Sequence, residues 1–139
     1  MLETNQITKM ETKSNTNQEK QRVELMSPAG SMEALVSAIN NGANSVYLGL
    51  KNFNARRKNR GNFGFDELVD AVQLAHFHDV KVYVTLNTLV KNDELNLWFK
   101  TLDKIAQANV DAIIVQDLYL LPLIKKHYPE LKLHISTQS

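Results

Sequence analysis

The stretch Val23–Asn59 reads VELMSPAGSMEAL (residues 23–35) and then NGANSVYLGLKNFNARRKN (residues 41–59). It predicts a short strand at Val23–Met26, a tight polar turn, a helix, a second strand at Ser45–Leu48 and a long basic loop. Strands and helices that alternate in this way form a parallel sheet, because parallel neighbours must be joined by a crossover. The rest of the chain repeats the alternation, so this stretch decides the fold.

The turn after the first strand consists of Ser27, Pro28, Ala29 and Gly30. Pro28 fixes one backbone dihedral and Gly30 can adopt a positive φ, which suits a tight turn. Ser31 follows where its side chain can cap the helix. A turn that begins a helix presents backbone N–H groups, so an anion site and a purely structural βα turn both remain open.

Later strands and helices follow in regular order. Further strands are predicted at Lys81–Asn87, Ala112–Val115 and Lys132–Ser136. Gly64 and Asn92 are expected at the caps of the second and third helices. Pro122 is expected to kink the fourth helix or to delay its start.

Two architectures compete for this pattern, a barrel and a doubly wound open sheet. Strands buried on both faces should be apolar throughout. The strand Lys81–Asn87 alternates instead, and so does Lys132–Ser136, with polar side chains toward the strand ends. This favours a barrel, which when complete has eight units and about 250 residues. The predicted fold class is therefore α/β, with parallel (β/α) units of a TIM-barrel-like domain truncated after strand five, a half-barrel.

The predicted domains are a disordered polar tail at residues 1–22 and an N-terminal (β/α)4-β part of a TIM-like barrel at residues 23–139. The tail has no apolar run, and the chain offers neither a secretory signal nor a membrane span, so a cytoplasmic location is expected. The net charge of +1 gives no global attraction to nucleic acid. The chain has no cysteine, which excludes disulfides, thiolate nucleophiles and iron–sulfur ligands within it.

Polar side chains are predicted to face the barrel interior near the C-terminal ends of strands, where barrel sites are built. These candidates for catalysis are Tyr47, Tyr83, Thr85, Asn87, Gln116, His134, Ser136 and Gln138. Tyrosine and threonine are also simply good strand formers, so the role of each residue stays open.

The basic loop after the second strand is the candidate for anion or RNA binding. Its residues are Lys51, Phe53, Arg56, Arg57, Lys58 and Arg60. Arginine suits phosphate and carboxylate, and Phe53 could stack on a base. A solvated surface loop is the plainer alternative for such a run of charges.

Motifs of known chemistry are missing from the sequence: it has no H-E-x-x-H, no G-x-S-x-G, no P-loop and no G-x-G-x-x-G. His76 and His78 are two residues apart on a helix and so point to different faces. No metal site is predicted, and His134 alone among the histidines is expected to face the interior.

A set of segments, in a fixed order and spacing, carries a family resemblance. The segments are Glu24–Ser31, Asn41–Gly49, Phe53–Arg56, Gly61–Phe63, Lys81–Asn87, Asp111–Asp117 and His134–Gln138. Together they resemble the opening of the peptidase U32 family, the collagenase-like peptidases, over residues 23–139. The resemblance implies a TIM-barrel-like domain of an enzyme. The family carries a peptidase label that includes collagen degradation, and several members take part in oxygen-independent hydroxylation of tRNA or rRNA bases or of a quinone precursor.

The resemblance also implies a cofactor that this chain cannot hold. Members that hydroxylate RNA often bind an iron–sulfur cluster through cysteines of their later half, and prephenate is the oxygen source for some. That half would follow strand five, so no cluster ligand is assigned here.

Three functions remain open at this point. The basic loop favours RNA-base hydroxylation, and only the family label favours a collagenase-like protease. The third is a non-catalytic half-barrel that needs a partner half, as a homodimer or with a complementary half-barrel, because its last strand would be an exposed edge.

Overall fold

The computed structural model describes residues 23–55 and 62–136. The strands are β1 (Met26–Pro28), β2 (Ser45–Gly49), β3 (Lys81–Leu86), β4 (Ala112–Val115) and β5 (Lys132–Ile135). The helices are α1 (Met32–Asn40), α2 (Phe65–Phe77), α3 (Leu95–Gln107) and α4 (Leu121–His127). Short 3-10 turns at Asn92–Glu94 and Leu118–Leu120 lead into α3 and α4. The predicted alternation is confirmed, and the predicted tail at residues 1–22 lies outside the described residues.

The five strands form one parallel sheet in the order β1-β2-β3-β4-β5. A doubly wound sheet needs a point where the strand order reverses, and the sheet built from the described residues has no such point. Right-handed crossovers between consecutive neighbours put every helix on the same face of the sheet. The chain therefore folds as part of a (β/α) barrel, and the doubly wound alternative is wrong.

The helix-covered face of the sheet is the core. Its strand residues are at most 1% exposed, and they are Val46, Leu48, Val82, Val84, Leu86, Ile113 and Val115. Trp98, Leu102 and Ile105 of α3 are fully buried against this core. Full burial of one such side chain contributes about 1.5–3 kcal/mol, so the helices stabilise one face of the sheet and leave the other available.

The first strand lies later in the chain than predicted, at Met26–Pro28 instead of Val23–Met26. Its register is set where Leu25 O accepts the backbone N–H of Asn44 at 2.8 Å and where Ser27 pairs with Val46. Proline is tolerated because β1 is an edge strand, where one side of the strand needs no N–H donor. The predicted turn residues Ser27 and Pro28 therefore belong to the strand.

The N-termini of the helices agree with the predicted caps and with the predicted effect of Pro122, with one exception. Ser31 caps α1 by accepting a first-turn backbone N–H at 3.2 Å. Gly64 precedes α2, and Glu67 accepts the backbone N–H of Gly64 at 2.7 Å. Asn92 does not cap α3, because it lies inside the preceding 3-10 turn. Pro122 lies in the first turn of α4 and delays the start of that helix, as predicted.

Glu24 lies at the N-terminal end of the strands and bonds side chains of β3. Its carboxylate accepts hydrogen bonds from the Tyr83 hydroxyl at 2.6 Å and from Lys81 Nζ at 2.9 Å. The bond from Tyr83, with that from Lys81, lowers the pKa of Glu24 to about 2. Burial, with the bond to Glu24, raises the pKa of Tyr83 to about 12. The placement of Tyr83 at the C-terminal face is wrong, because its long side chain reaches Glu24 at the opposite end.

The Glu24 carboxylate should make the folded state sensitive to acid. Because its folded pKa is below the ordinary 4.5, its stabilisation is present above about pH 4.5 and is lost as pH falls toward 2. In urea unfolding at stepped pH, wild type should lose about 1 kcal/mol more than Glu24→Gln over this window, a modest figure because the carboxylate side chain is 35% exposed. Glu130→Gln, at an exposed glutamate, should follow wild type. Equal losses in Glu24→Gln and wild type would contradict the assignment.

Candidate functional site

A cavity of about 150 Å³ opens at the C-terminal ends of β1, β2 and β3. It is lined by Pro28, Ala29, Gly30, Tyr47, Leu48, Gly49, Asn54, Asn62, Thr85 and Asn87. The sheet register explains the grouping, since Pro28 pairs with Tyr47 in one row and Gly49 with Thr85 further along. This is the end of a barrel sheet where sites are built.

The cavity brings together residues that lie far apart in the sequence. Pro28 and Gly30 come from the first βα connection, whereas Tyr47, Thr85 and Asn87 come from the predicted inward set. The Thr85 hydroxyl is nearly buried and donates to the carbonyl oxygen of Leu48 at 3.1 Å. That bond ties β3 to β2 at the floor of the cavity.

The loop after β2 forms one wall of the cavity through a buried amide. Asn54 is 5% exposed, and its Nδ2 donates to Asn62 Oδ1 at 2.9 Å. A Cβ on Gly49 would lie 1.8 Å from Asn54 Nδ2, so only glycine leaves room for this amide. The base of the loop is closed where the backbone N–H of Phe63 donates to Gly49 O at 3.0 Å.

Asn87 joins this loop to the end of β3. The backbone N–H of Ala55 donates to Asn87 Oδ1 at 3.2 Å. Because the bond uses the carbonyl end of the Asn87 amide, the NH₂ end remains able to donate to a ligand. Asn87 therefore contributes both to the shape of the cavity and to its hydrogen-bonding capacity.

The described side chains that line the cavity are neutral. Three amides (Asn54, Asn62 and Asn87) and two hydroxyls (Tyr47 and Thr85) supply both donors and acceptors. No charged side chain is among the lining residues within the described part of the chain. Such a lining suits a small neutral group that donates and accepts hydrogen bonds, such as an amide or the edge of a nucleobase.

The basic loop is only partly within the described residues. Lys51 is exposed at its start, whereas Arg56, Arg57, Lys58 and Arg60 lie outside the described ranges. Phe53 is 1% exposed and belongs to the core, with a backbone φ of 57° that turns the chain at this point. A buried ring offers no free face, so Phe53 cannot stack on a base from this position.

The remaining predicted residues that the structure describes do not line the cavity. His134 is exposed on β5, and its ring centroid lies 4.9 Å from that of Tyr83. Gln116 follows β4 and is half-buried, and Ser136 follows β5 and is 8% exposed. Gln138 lies outside the described residues.

Asp117 is a further polar residue at this end of the sheet, and the sequence did not single it out. It is 9% exposed, and its two carboxylate oxygens accept the backbone N–H groups of Tyr119 and Val90, both at 3.2 Å. Asp117 thus fastens the connection after β3 to the connection after β4. The sequence signal was its position just after a strand, but its partner Val90 is distant in the chain.

The donor set of the chain does not fit an iron–sulfur cluster. The sequence has no cysteine, so it offers no thiolate ligand. Across residues 23–55 and 62–136, no group of three or more His, Asp or Glu side chains is placed to hold a metal ion. His76 Nε2 instead lies 2.8 Å from Asp111 Oδ2. No helix in the same ranges is long and apolar enough to cross a membrane.

Comparison with known proteins gives a consistent result. Residues 30–139 match the family described as Peptidase family U32. A solved structure of a U32 peptidase matches the fold with a TM-score of 0.68, covering 84% of this chain and 50% of that one at 18% identity. This likeness concerns the fold, and it supports the assignment of the sheet to part of a barrel.

Three curated relatives are named either for the modification of RNA or for the degradation of collagen. The chain is 35% identical to tRNA hydroxylation protein P of Helicobacter pylori, over 85% of this chain and 28% of that protein. It is 39% identical to the 23S rRNA 5-hydroxycytidine synthase of Escherichia coli, over 84% of this chain and 17% of that protein. It is 33% identical to the Collagenase of Porphyromonas gingivalis, over 83% of this chain and 27% of that protein. The chain thus spans about a quarter or less of the length of these relatives.

A side chain at Gly49 should disrupt the cavity wall. We expect Gly49→Ala to displace the Asn54 amide and to lower the free energy of unfolding by about 1–3 kcal/mol, the range for overpacking a close contact. Gly64→Ala is the matched control, because its Cβ would meet nothing closer than 3.4 Å and should cost only about 0.5 kcal/mol. Thermal and urea unfolding measure both variants. Equal destabilisation by the two substitutions would refute the close approach at Gly49.

Proposed function

The chain belongs to the peptidase U32 family, and on that basis we propose that it takes part in the hydroxylation of a base in tRNA or rRNA. The observation that supports this most is the neutral, amide-lined cavity at the C-terminal end of the sheet. Amides and hydroxyls can bond the polar edge of an unstacked base, which is how single-stranded RNA is read. Relatives of the family named for tRNA and rRNA modification support the same substrate class.

The basic loop is proposed to bind the RNA backbone beside this cavity. Lys51 follows β2 directly, and the next residues in the sequence include Arg56, Arg57, Lys58 and Arg60. Cations bind phosphates without regard to sequence, whereas the amides of the cavity can discriminate between bases. A cavity lined by neutral described residues and a basic segment in the same loop of the sequence would supply these two components of RNA recognition.

This chain is proposed to supply substrate binding, and the chemistry is proposed to need groups outside it. An iron–sulfur cluster, where the activity uses one, would have to be held elsewhere, because this chain has no cysteine. RNA is the proposed main partner. A second copy or a complementary half-barrel is a further proposed partner, because β5 has a free edge in the described sheet. The proposed location is cytoplasmic.

A collagenase-like protease is the second candidate function, and the relative named Collagenase favours it. Proteolysis requires an activated nucleophile or a metal-bound water. The Thr85 hydroxyl in the cavity donates to a backbone carbonyl oxygen, and none of the lining residues that the structure describes is basic. The cavity therefore supports RNA modification better than peptide hydrolysis.

Removal of the positive charge in the basic loop should weaken RNA binding in a salt-dependent way. In the triple variant Arg56→Gln, Arg57→Gln and Lys58→Gln, the slope of log affinity against log salt should fall by about 2, since each phosphate contact to a single strand contributes roughly 0.7. Filter binding or anisotropy with a single-stranded RNA measures the slope.

A control triple variant carries the same change in net charge. Lys100→Gln, Lys126→Gln and Lys132→Gln remove exposed lysines of other elements and should leave the slope near that of wild type. If both triple variants lose the same slope, the effect is one of net charge and the proposed phosphate contacts are wrong.

The two candidate functions differ in what cells lose. In cells that lack this chain, nucleosides digested from tRNA and rRNA should lose a hydroxylated nucleoside, as measured by mass spectrometry, and the wild-type gene should restore it. The purified chain should leave gelatin intact. Unchanged nucleosides together with gelatin cleavage above a blank would favour the protease instead.

A further inference from the structure

Tyr119 is a large aromatic side chain that is exposed to solvent. It is 92% exposed and follows β4, in the 3-10 turn that precedes α4. Leu118 beside it is 49% exposed, and Leu89 on the preceding βα connection is 69% exposed. Exposed apolar side chains that occur together mark binding surfaces more often than those that occur singly.

The backbone at Tyr119 is fixed by Asp117. One carboxylate accepts the backbone N–H of Tyr119 and that of Val90, so two connections are held at a set separation. Asp117 itself is 9% exposed. A ring presented from a fixed backbone loses less conformational entropy on binding than one presented from a loose loop.

Tyr119 lies on the same end of the sheet as the cavity. Asn87, which lines the cavity, leads directly into the connection that contains Val90. β3 and β4 are hydrogen-bonded neighbours, and neighbouring strands lie about 4.8 Å apart. Tyr119 follows β4, the strand next to β3, so it lies at the same end of the sheet as the cavity.

We propose that Tyr119 stacks on a nucleobase of single-stranded RNA, next to the base that enters the cavity. The inference rests on the proposed function and adds a residue that contacts the substrate. The sequence suggested Phe53 for stacking, but Phe53 is buried and Tyr119 presents its ring to solvent on the same end of the sheet. Base stacking tolerates any base, so Tyr119 contributes affinity and register while the cavity contributes selectivity.

The test compares the affinity of single-stranded RNA over a range of salt concentrations. Tyr119→Ala should weaken binding about tenfold, the effect of losing one stacked base, with no change in salt slope. Tyr119→Phe should bind within about twofold of wild type, because it keeps the ring. Phe77→Ala is the matched control, since Phe77 is 83% exposed at the end of α2, just before β3 begins and so at the opposite end of the sheet.

A fluorescence measurement keeps the proposal falsifiable if Tyr119→Ala unfolds. In Tyr119→Trp the new indole should be quenched by bound RNA, and in Phe77→Trp it should not; the native Trp98 is fully buried and adds a constant background. The proposal on Tyr119 alone is overturned if wild type binds RNA in a salt-dependent way but Tyr119→Ala matches Phe77→Ala, or if both indoles respond equally. Absence of RNA binding by wild type overturns the proposed function as well. Loss of gelatin binding instead of RNA binding in Tyr119→Ala would assign the surface to peptide.

Discussion

The sequential parallel order of the sheet is the constraint on which the rest of this structure depends. Each strand pairs with the next along the chain, so every crossover has the same hand and every helix lies on one face. The apolar side chains of β2, β3 and β4 are buried on that face, against the helices. Because the helices pack on one face only, the other face can carry polar residues. A parallel sheet covered on both faces would have apolar strands throughout.

The polar face is divided into two ends with different chemistry. At the N-terminal end, the Glu24 carboxylate accepts charge-assisted hydrogen bonds from Tyr83 and Lys81, so these polar groups are paired within the fold. At the C-terminal end the cavity is lined by amides and hydroxyls. Charges that pair internally stabilise the fold but are unavailable to a ligand, whereas neutral donors and acceptors can exchange water for a substrate. Stability and recognition are thus separated along the strands, as in barrels generally.

Sequence periodicity predicted the fold well because period-two alternation is a local property. The alternation of Lys81–Asn87 was enough to assign both faces of β3, and Ser31 and Pro122 were placed correctly because capping and proline geometry depend on near neighbours. The start of β1 was missed because it is set by partners in β2. Short edge strands have too few residues for a pattern to determine their register.

The site was predicted less well, because contacts between residues distant in the sequence determine which end of the sheet a side chain reaches. Tyr83 was correctly placed on the polar face, yet its hydroxyl reaches the wrong end for catalysis because Glu24, distant in sequence, is there to accept it. The burial of Phe53 depends on a positive φ that no propensity of phenylalanine indicates.

The close approach of Gly49 to Asn54 explains why the cavity needs the loop after β2. A side chain at residue 49 would displace the Asn54 amide from the cavity wall, since Asn54 occupies that volume. The same loop then continues into the basic segment of the sequence. Electrostatic attraction alone would hold RNA in many registers. Under the proposed function, the amides of the cavity wall, more than the basic residues, should therefore determine which nucleotide is bound.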